Sequence, residues 1–200
     1  MPKRYLKKLP ETLSHINETK FRSSDCRSVN VYFQDESRFG LITIQRRILT
    51  MKGVMPIIPY QHKFENFYLF GAYSPMTGTH FTLELLYCNT DCFQLYLDEF
   101  SKETPDEFKI IVLDNGAFHK SAELIVPDNI ELLFIPPYSP ELNVAEKIWA
   151  HIKGDIAAEV FKTLNDLSDK VAMLVKNIEQ DTIKSITGFK HYMKIFNAVF

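Results

Sequence analysis

Three acidic residues in this 200-residue chain stand where elements of secondary structure should begin or end. Asp35 follows the alternating stretch Val29-Asn30-Val31-Tyr32-Phe33-Gln34. Asp114 ends the apolar run Ile110-Ile111-Val112-Leu113, just before Asn115-Gly116. Glu146 lies in Pro140-Glu141-Leu142-Asn143-Val144-Ala145-Glu146. A carboxylate at the mouth of a buried strand is costly to desolvate alone, so it must meet a partner, a metal or water. Two adjacent carboxylates repel, and each rises in pKa unless a cation joins them. Hard oxygen ligands favour Mg²⁺ or Mn²⁺, which keep several waters and take only one or two carboxylates from protein. Two such ions can activate a water or a 3′-hydroxyl and stabilise the leaving oxygen in phosphodiester displacement. Asp35, Asp114 and Glu146 are the candidate catalytic and metal-binding residues on this reading.

Each has a competitor. Glu36 is adjacent to Asp35, although neighbouring strand residues point to opposite faces. Glu141 competes with Glu146; in a helix starting at Pro140 it would occupy the first turn, where an acid favours the macrodipole without further role. Trp149, three residues after Glu146, could pack over the same helix face or belong to the core or a partner surface. His119 could contact a phosphate, tune the metal site or be structural.

The elements that must position these groups can be read from hydrophobic period. Asn30 to Gln34 reads as a first strand ending at Asp35, and Leu41 to Ile48 is also β-prone. Asn66 to Tyr73 and Thr79 to Tyr87 read as a hairpin around Ser74-Pro75-Met76-Thr77-Gly78. A helix follows from the cap at Thr90-Asp91-Cys92 to about Lys102, then a strand from Lys109 to Asp114. Lys120 to Ile125 suggests a short helix, and Ile130 to Ile135 a last strand stopped by Pro136-Pro137. Further helices are expected from Pro140 to about Glu159, Leu164 to about Glu179, and His191 to Val199. Residues 1–28 read as a basic linker or incomplete N-terminal attachment, and 29–200 as the main domain. The expected fold is α/β: a five-stranded mixed sheet, three antiparallel meander strands plus two parallel crossover strands, flanked by helices. Asp35 and Asp114 would then end neighbouring parallel strands, at the functional edge of such sheets.

Charge adds a partner. The net charge is only −2, but Lys3, Arg4, Lys7, Lys8, Lys20 and Arg22 oppose only Glu11 and Glu18 in residues 1–24. From Ser37 to Phe64 there is no acid, while Arg38, Arg46, Arg47, Lys52 and Lys63 all fall there. That clustering reads either as a solvated basic face or as an electrostatic footprint for nucleic acid; its start two residues after Asp35 favours the second, read through phosphates, with His119 and Lys120 as further contacts. No apolar run is long enough for a membrane span. Cys26, Cys88 and Cys92 form neither an even disulfide framework nor a paired zinc signature, so the chain reads as a reduced, cytoplasmic protein.

Three motifs occur in order: Gln34-Asp35-Glu36-Ser37-Arg38-Phe39, Leu113-Asp114-Asn115-Gly116-Ala117-Phe118-His119-Lys120, and Pro136-Pro137-Tyr138-Ser139-Pro140-Glu141-Leu142-Asn143-Val144-Ala145-Glu146-Lys147-Ile148-Trp149. Together they resemble the catalytic domain of DDE-type transposases, in the bacterial insertion-sequence branch related to mariner elements (insertion sequence six-thirty). The resemblance covers roughly residues 28 to 200. It implies an RNase H-like fold, Asp35, Asp114 and Glu146 as the metal triad, and Mg²⁺ or Mn²⁺ as a pair of ions. It also implies cleavage of double-stranded DNA at element ends, strand transfer into target DNA at TA, a homodimer and a nucleoid-associated protein. The 32 positions from Asp114 to Glu146 suit the short spacing of this branch.

Two departures stand out. Family members commonly carry an N-terminal helix-turn-helix region, and about 28 residues are too few for one. The expectation is therefore a fragment, a split-frame product or a domesticated remnant, served by a separate DNA-binding module. The third motif reads Asn143-Val144-Ala145-Glu146 where Asn-Pro-Ile-Glu is common. The leading expectation is a metal-dependent DNA strand-cleaving and strand-transfer domain. The alternatives are a non-catalytic remnant binding DNA or a partner, and an RNase H-like nuclease with another substrate.

Overall fold

The computed structural model describes every residue except Met1, Arg46, Ile48 and Pro56, together with the side chain of Pro2. A five-stranded sheet forms the centre: β1 (Ser28–Ile42), β2 (His62–Tyr73), β3 (His80–Leu85), β4 (Glu107–Leu113) and β5 (Ile130–Phe134). Its spatial order is β3-β2-β1-β4-β5. β2 pairs antiparallel with β1 and β3, while β1–β4 and β4–β5 are parallel. This is the mixed sheet expected from the sequence.

Strand parity divides the core. Val31, Phe33, Phe39 and Leu41 of β1 and Ile110 and Val112 of β4 face one side, under α3 (Ala145–Asp155), α4 (Leu164–Lys176), α5 (Gln180–Thr187) and α6 (Lys190–Val199). Tyr32, Ile111 and Leu113 face the other, beneath α2 (Thr90–Glu103). The side chain of Asn89 caps α2 by accepting from Cys92 N–H, so the cap is one residue earlier than Thr90.

Several elements differ from expectation. Residues Pro2–Thr19, in the segment read as a linker or incomplete N-terminal attachment with a short helix possible from Pro10 to about Asn17, form helix α1. Leu9, Leu13 and Ile16 recur at helical spacing and are buried in the larger core, whereas Pro10 and the many charges obscure that period in the sequence. Among the described residues the β-prone Leu41 to Ile48 stretch yields strand only to Ile42, with Arg46 and Ile48 outside them; β2 begins at His62, and the Gln61 N–H just before it donates to Thr43 Oγ1 (2.8 Å). The expected helix at Lys120 to Ile125 is replaced by a 3₁₀ turn at Ala117–Lys120. The expected helix from Pro140 is split into a 3₁₀ turn, Pro140–Leu142, and α3, while α5 lies beyond the end expected for the preceding helix. Among the described residues, no helix is long and apolar enough to cross a membrane.

Candidate active site

The sheet register brings the two aspartates level. β1 pairs with β4 as far as Phe33↔Val112, and two residues further along each chain come Asp35 and Asp114 on the same face. Asp114 follows the last residue of β4, as expected. Asp35 does not end its strand: β1 loses β4 as a partner after Phe33 but stays paired with β2 to Ile42. The functional edge is therefore the place where parallel pairing stops, not where β1 stops.

Asn143 brings in the third acid. Its Nδ2 donates to the Gln34 carbonyl (2.8 Å), and its Oδ1 accepts from Ala145 N–H (3.1 Å). One buried amide thus pins the start of α3 beside Asp35, with Val144 and Ala145 packed in the core. The split helix puts Glu146 in the first turn of α3, the position at which the dipole favours an acid. Asp35, Asp114 and Glu146 all line one cavity of about 410 Å³, walled by Asn115, Gly116 and the Ile135–Pro140 loop. Glu141, exposed on the 3₁₀ turn, does not line it. Within that loop Tyr138 is fully exposed with φ 56°, a left-handed backbone strained for a non-glycine residue.

The three acids differ electrostatically. Burial, and then neighbouring Glu36, push the Asp35 carboxyl up to about 7; Glu146 adds to this, and a hydrogen bond from Trp149 opposes it. Trp149 Nε1–H donates to Asp35 Oδ2 at 2.9 Å, a contact the sequence reading did not assign. Gly71 stands opposite Asp35 in the register, and a Cβ there would lie 2.7 Å from the Trp149 ring. Asp114 is held below the usual carboxylate range, chiefly by His119 and also by the Gly116 N–H. Glu146 is raised by burial and by Asp114.

His119 and Glu36 work from behind. Glu36 faces the α2 side, where its Oε1 accepts from Gln34 Nε2 (2.7 Å) and lies 2.9 Å from His119 Nε2. His119 Nδ1 lies 2.9 Å from Asp114 Oδ1, within ion-pair range though off the axis of a hydrogen bond. Burial alone would lower the His119 pKa, but Asp114 and Glu36 outweigh it and raise it to about 9. His119 is 2% exposed, so it braces the site from within rather than offering a surface contact for phosphate.

The basic candidates separate. Arg38 and Lys63 line a second cavity of about 400 Å³ together with Lys153, a residue missed in the sequence because its helix position gave no charge cluster. Arg47 and Lys52 are exposed on the segment between β1 and β2, and Arg46 lies outside the described residues. Lys120 bonds to the Asn115 amide oxygen and lies over the Phe134 ring.

A divalent ion fits the donor set, since the Asp35 carboxyl is raised by burial beside other acids and lacks a cationic partner among its described hydrogen bonds and ion pairs. No three His, Cys, Asp or Glu side chains among the described residues stand close enough to hold one ion as they are. Mg²⁺ keeps several waters and takes only one or two carboxylates from protein, so a three-carboxylate cluster is not required for it.

Comparison with known proteins bears on the family and the fold. A family model described as DDE superfamily endonuclease matches residues 30–168. An uncharacterised protein, y4pE/y4sA of Sinorhizobium fredii (strain NBRC 101917 / NGR234), is 37% identical over 102 residues, spanning 50% of this chain and 76% of that one. Among solved structures, the Mos1 transposase paired-end complex with the left transposon end aligns at TM-score 0.64 and 15% identity over 98% of this chain and 61% of that one. The Mos1 strand transfer complex aligns at TM-score 0.65 and 15% identity, covering 98% of this chain and 61% of that one. The mariner Mos1 paired-end complex with Mg aligns at TM-score 0.65 and 14% identity, with the same coverage. This chain therefore spans about 61% of the length of those transposases, and the shared fold is RNase H-like. With the matched model covering both aspartates and Glu146, the chain belongs to the DDE superfamily endonuclease family.

Proposed function

We propose that this chain is a transposase catalytic domain of the mariner-related insertion sequence six-thirty branch, cutting DNA at element ends and joining 3′-hydroxyls to target DNA. The observation that carries this reading is the convergence of Asp35, Asp114 and Glu146 on one cavity, from a mid-strand, a strand end and a helix start. Solved neighbours in complexes with transposon ends, and with Mg or Mn, support the substrate class and the ion type.

Asp35, Asp114 and Glu146 would hold a pair of divalent ions. When bound, the ions would polarise the scissile phosphate and make a hydroxyl nucleophilic at neutral pH. The chain's own residues supply position. Trp149 fixes one oxygen of Asp35, His119 and Gly116 fix Asp114, and Asn143 fixes the helix that carries Glu146. A homodimer acting on paired ends, a separate end-recognition module and action at the nucleoid belong to the same proposal.

The test is nicking of supercoiled plasmid in Mn²⁺ by the wild type and by Asp35→Asn, Asp114→Asn and Glu146→Gln, with Glu141→Gln as a control. Loss in the three variants but not in the control supports the proposal. Equal activity in all five proteins, or none in the wild type with DNA bound, sinks it. Cleavage confined to RNA–DNA hybrid would move the substrate to that of an RNase H-type nuclease.

A further inference from the structure

Helix α3 connects the carboxylate cavity with the basic one. Glu146, Trp149 and Lys153 recur at i, i+3 and i+7, the spacing of a single helix face. Glu146 lines the first cavity, Trp149 bonds to Asp35, and Lys153 lines the second. The helical rise separates Glu146 and Lys153 by about 10 Å along the axis. β1 runs beside it in the same sense, with Asp35 in the first cavity and Arg38 in the second.

The second cavity has its own chemistry. Arg38, Lys63 and Lys153 line it against one carboxylate, Glu65. Phe64 also lines it and is 82% exposed as a residue. The Phe64 ring belongs to a row: the His62 ring lies 4.7 Å from it, and Tyr60 lies 6.2 Å from His62. Cations suit phosphates, and exposed ring faces suit the faces of bases. A duplex hides its base faces within the stack except at its two ends, so along its length only an unpaired strand offers both at once.

We infer that the Arg38–Lys63–Lys153 cavity and the Tyr60–His62–Phe64 row form a subsite for unpaired DNA flanking the phosphate presented to the carboxylates. The inference rests on the DNA-cleaving reading above and adds a strand preference to it. The cations hold the backbone as it leaves along α3, and the rings stack on its bases. Leu49, Met51 and Ile57 on the same segment are also exposed and would suit a second copy of the chain. The charge of the cavity and the acid-free run from Ser37 to Phe64 favour DNA.

Fluorescence anisotropy of the full chain in EDTA, where no cutting occurs, tests this with a blunt duplex and the same duplex carrying a short dT tail. The wild type should bind the tailed duplex about ten-fold more tightly, the scale of one base–ring stack. Phe64→Ala should bind tailed DNA no better than blunt DNA, and Phe64→Trp should restore the margin. Equal binding of both DNAs by the wild type, or a tail preference intact in Phe64→Ala, overturns the inference. So does a change in oligomeric state of Phe64→Ala by light scattering with the tail preference kept, which would make the row a protein contact. Because binding is read without metal, a lost tail preference alongside intact Mn²⁺ nicking rejects the subsite alone. An intact preference without nicking rejects the catalytic reading alone.

Discussion

Asp35 concentrates the conflict between stability and chemistry in this site. Its carboxyl is raised to about 7 by burial and by Glu36, against an ordinary value near 4. Between those values the folded protein holds a proton that the unfolded chain has released. Asp35 therefore costs more stability as pH rises through that window, and the full cost is present above about 7. Asp35→Asn keeps an acceptor for Trp149 and removes the charge. Urea denaturation should show the variant matching the wild type near pH 4 and exceeding it at pH 8 by up to about 4 kcal/mol. A gap that does not change with pH would rule this account out. Mn²⁺ should raise the melting temperature of the wild type and leave that of the variant unmoved, since binding to the native state alone stabilises it. Positions of this kind, where the folded chain is less stable than it could be, are expected where a ligand supplies the missing charge.

Elements position the site through close approach. Gly71 on β2 sits opposite Asp35, and the rings of Trp149 and Tyr73 occupy the space a side chain would need. Gly71→Ala should destabilise the fold by about 1–3 kcal/mol through overpacking and cut nicking by displacing Trp149 from Asp35. Gly154 on α3 is the matched control, because a Cβ there meets nothing within 4 Å. Gly154→Ala should gain about 0.5–1 kcal/mol from reduced backbone entropy in the unfolded chain. Thermal melts paired with plasmid nicking measure both. Equal effects from the two substitutions would show that helix propensity and flexibility, not the Trp149 contact, govern this edge.

At the scale of the whole molecule, Arg38, Lys63 and Lys153 share one cavity despite a net charge of −2. Phosphate contacts release counterions, each contributing roughly 0.9 to the fall of log affinity with log salt. Contacts from Arg38, Lys63, Lys153 and Lys120 should give a slope of about −3 to −4 for duplex DNA. A flat salt dependence would remove the phosphate-contact assignment, whatever becomes of the metal site.

Much of this arrangement was legible in the sequence. Alternation in β1, the apolar run of β4 and the proline stops gave the strands, because burial of one or both sheet faces writes its period directly into the chain. The meander followed by crossovers makes Asp35 and Asp114 neighbours through strand order alone. Of helix α1 only a short stretch from Pro10 to about Asn17 was legible, because its three buried residues are diluted by charge and interrupted by Pro10. The remaining contacts join residues far apart in sequence: Trp149 to Asp35, Asn143 to the Gln34 carbonyl, His119 between Asp114 and Glu36, and Lys153 beside Arg38. Side-chain periodicity reports which face a residue occupies, not which residue on another element it meets. The sequence by itself determined the sheet, the acids and their likeness to a family of DNA-acting enzymes. Only the tertiary structure decided which carboxylates share a cavity and what orients each one, since register and helix docking, rather than local pattern, set those distances.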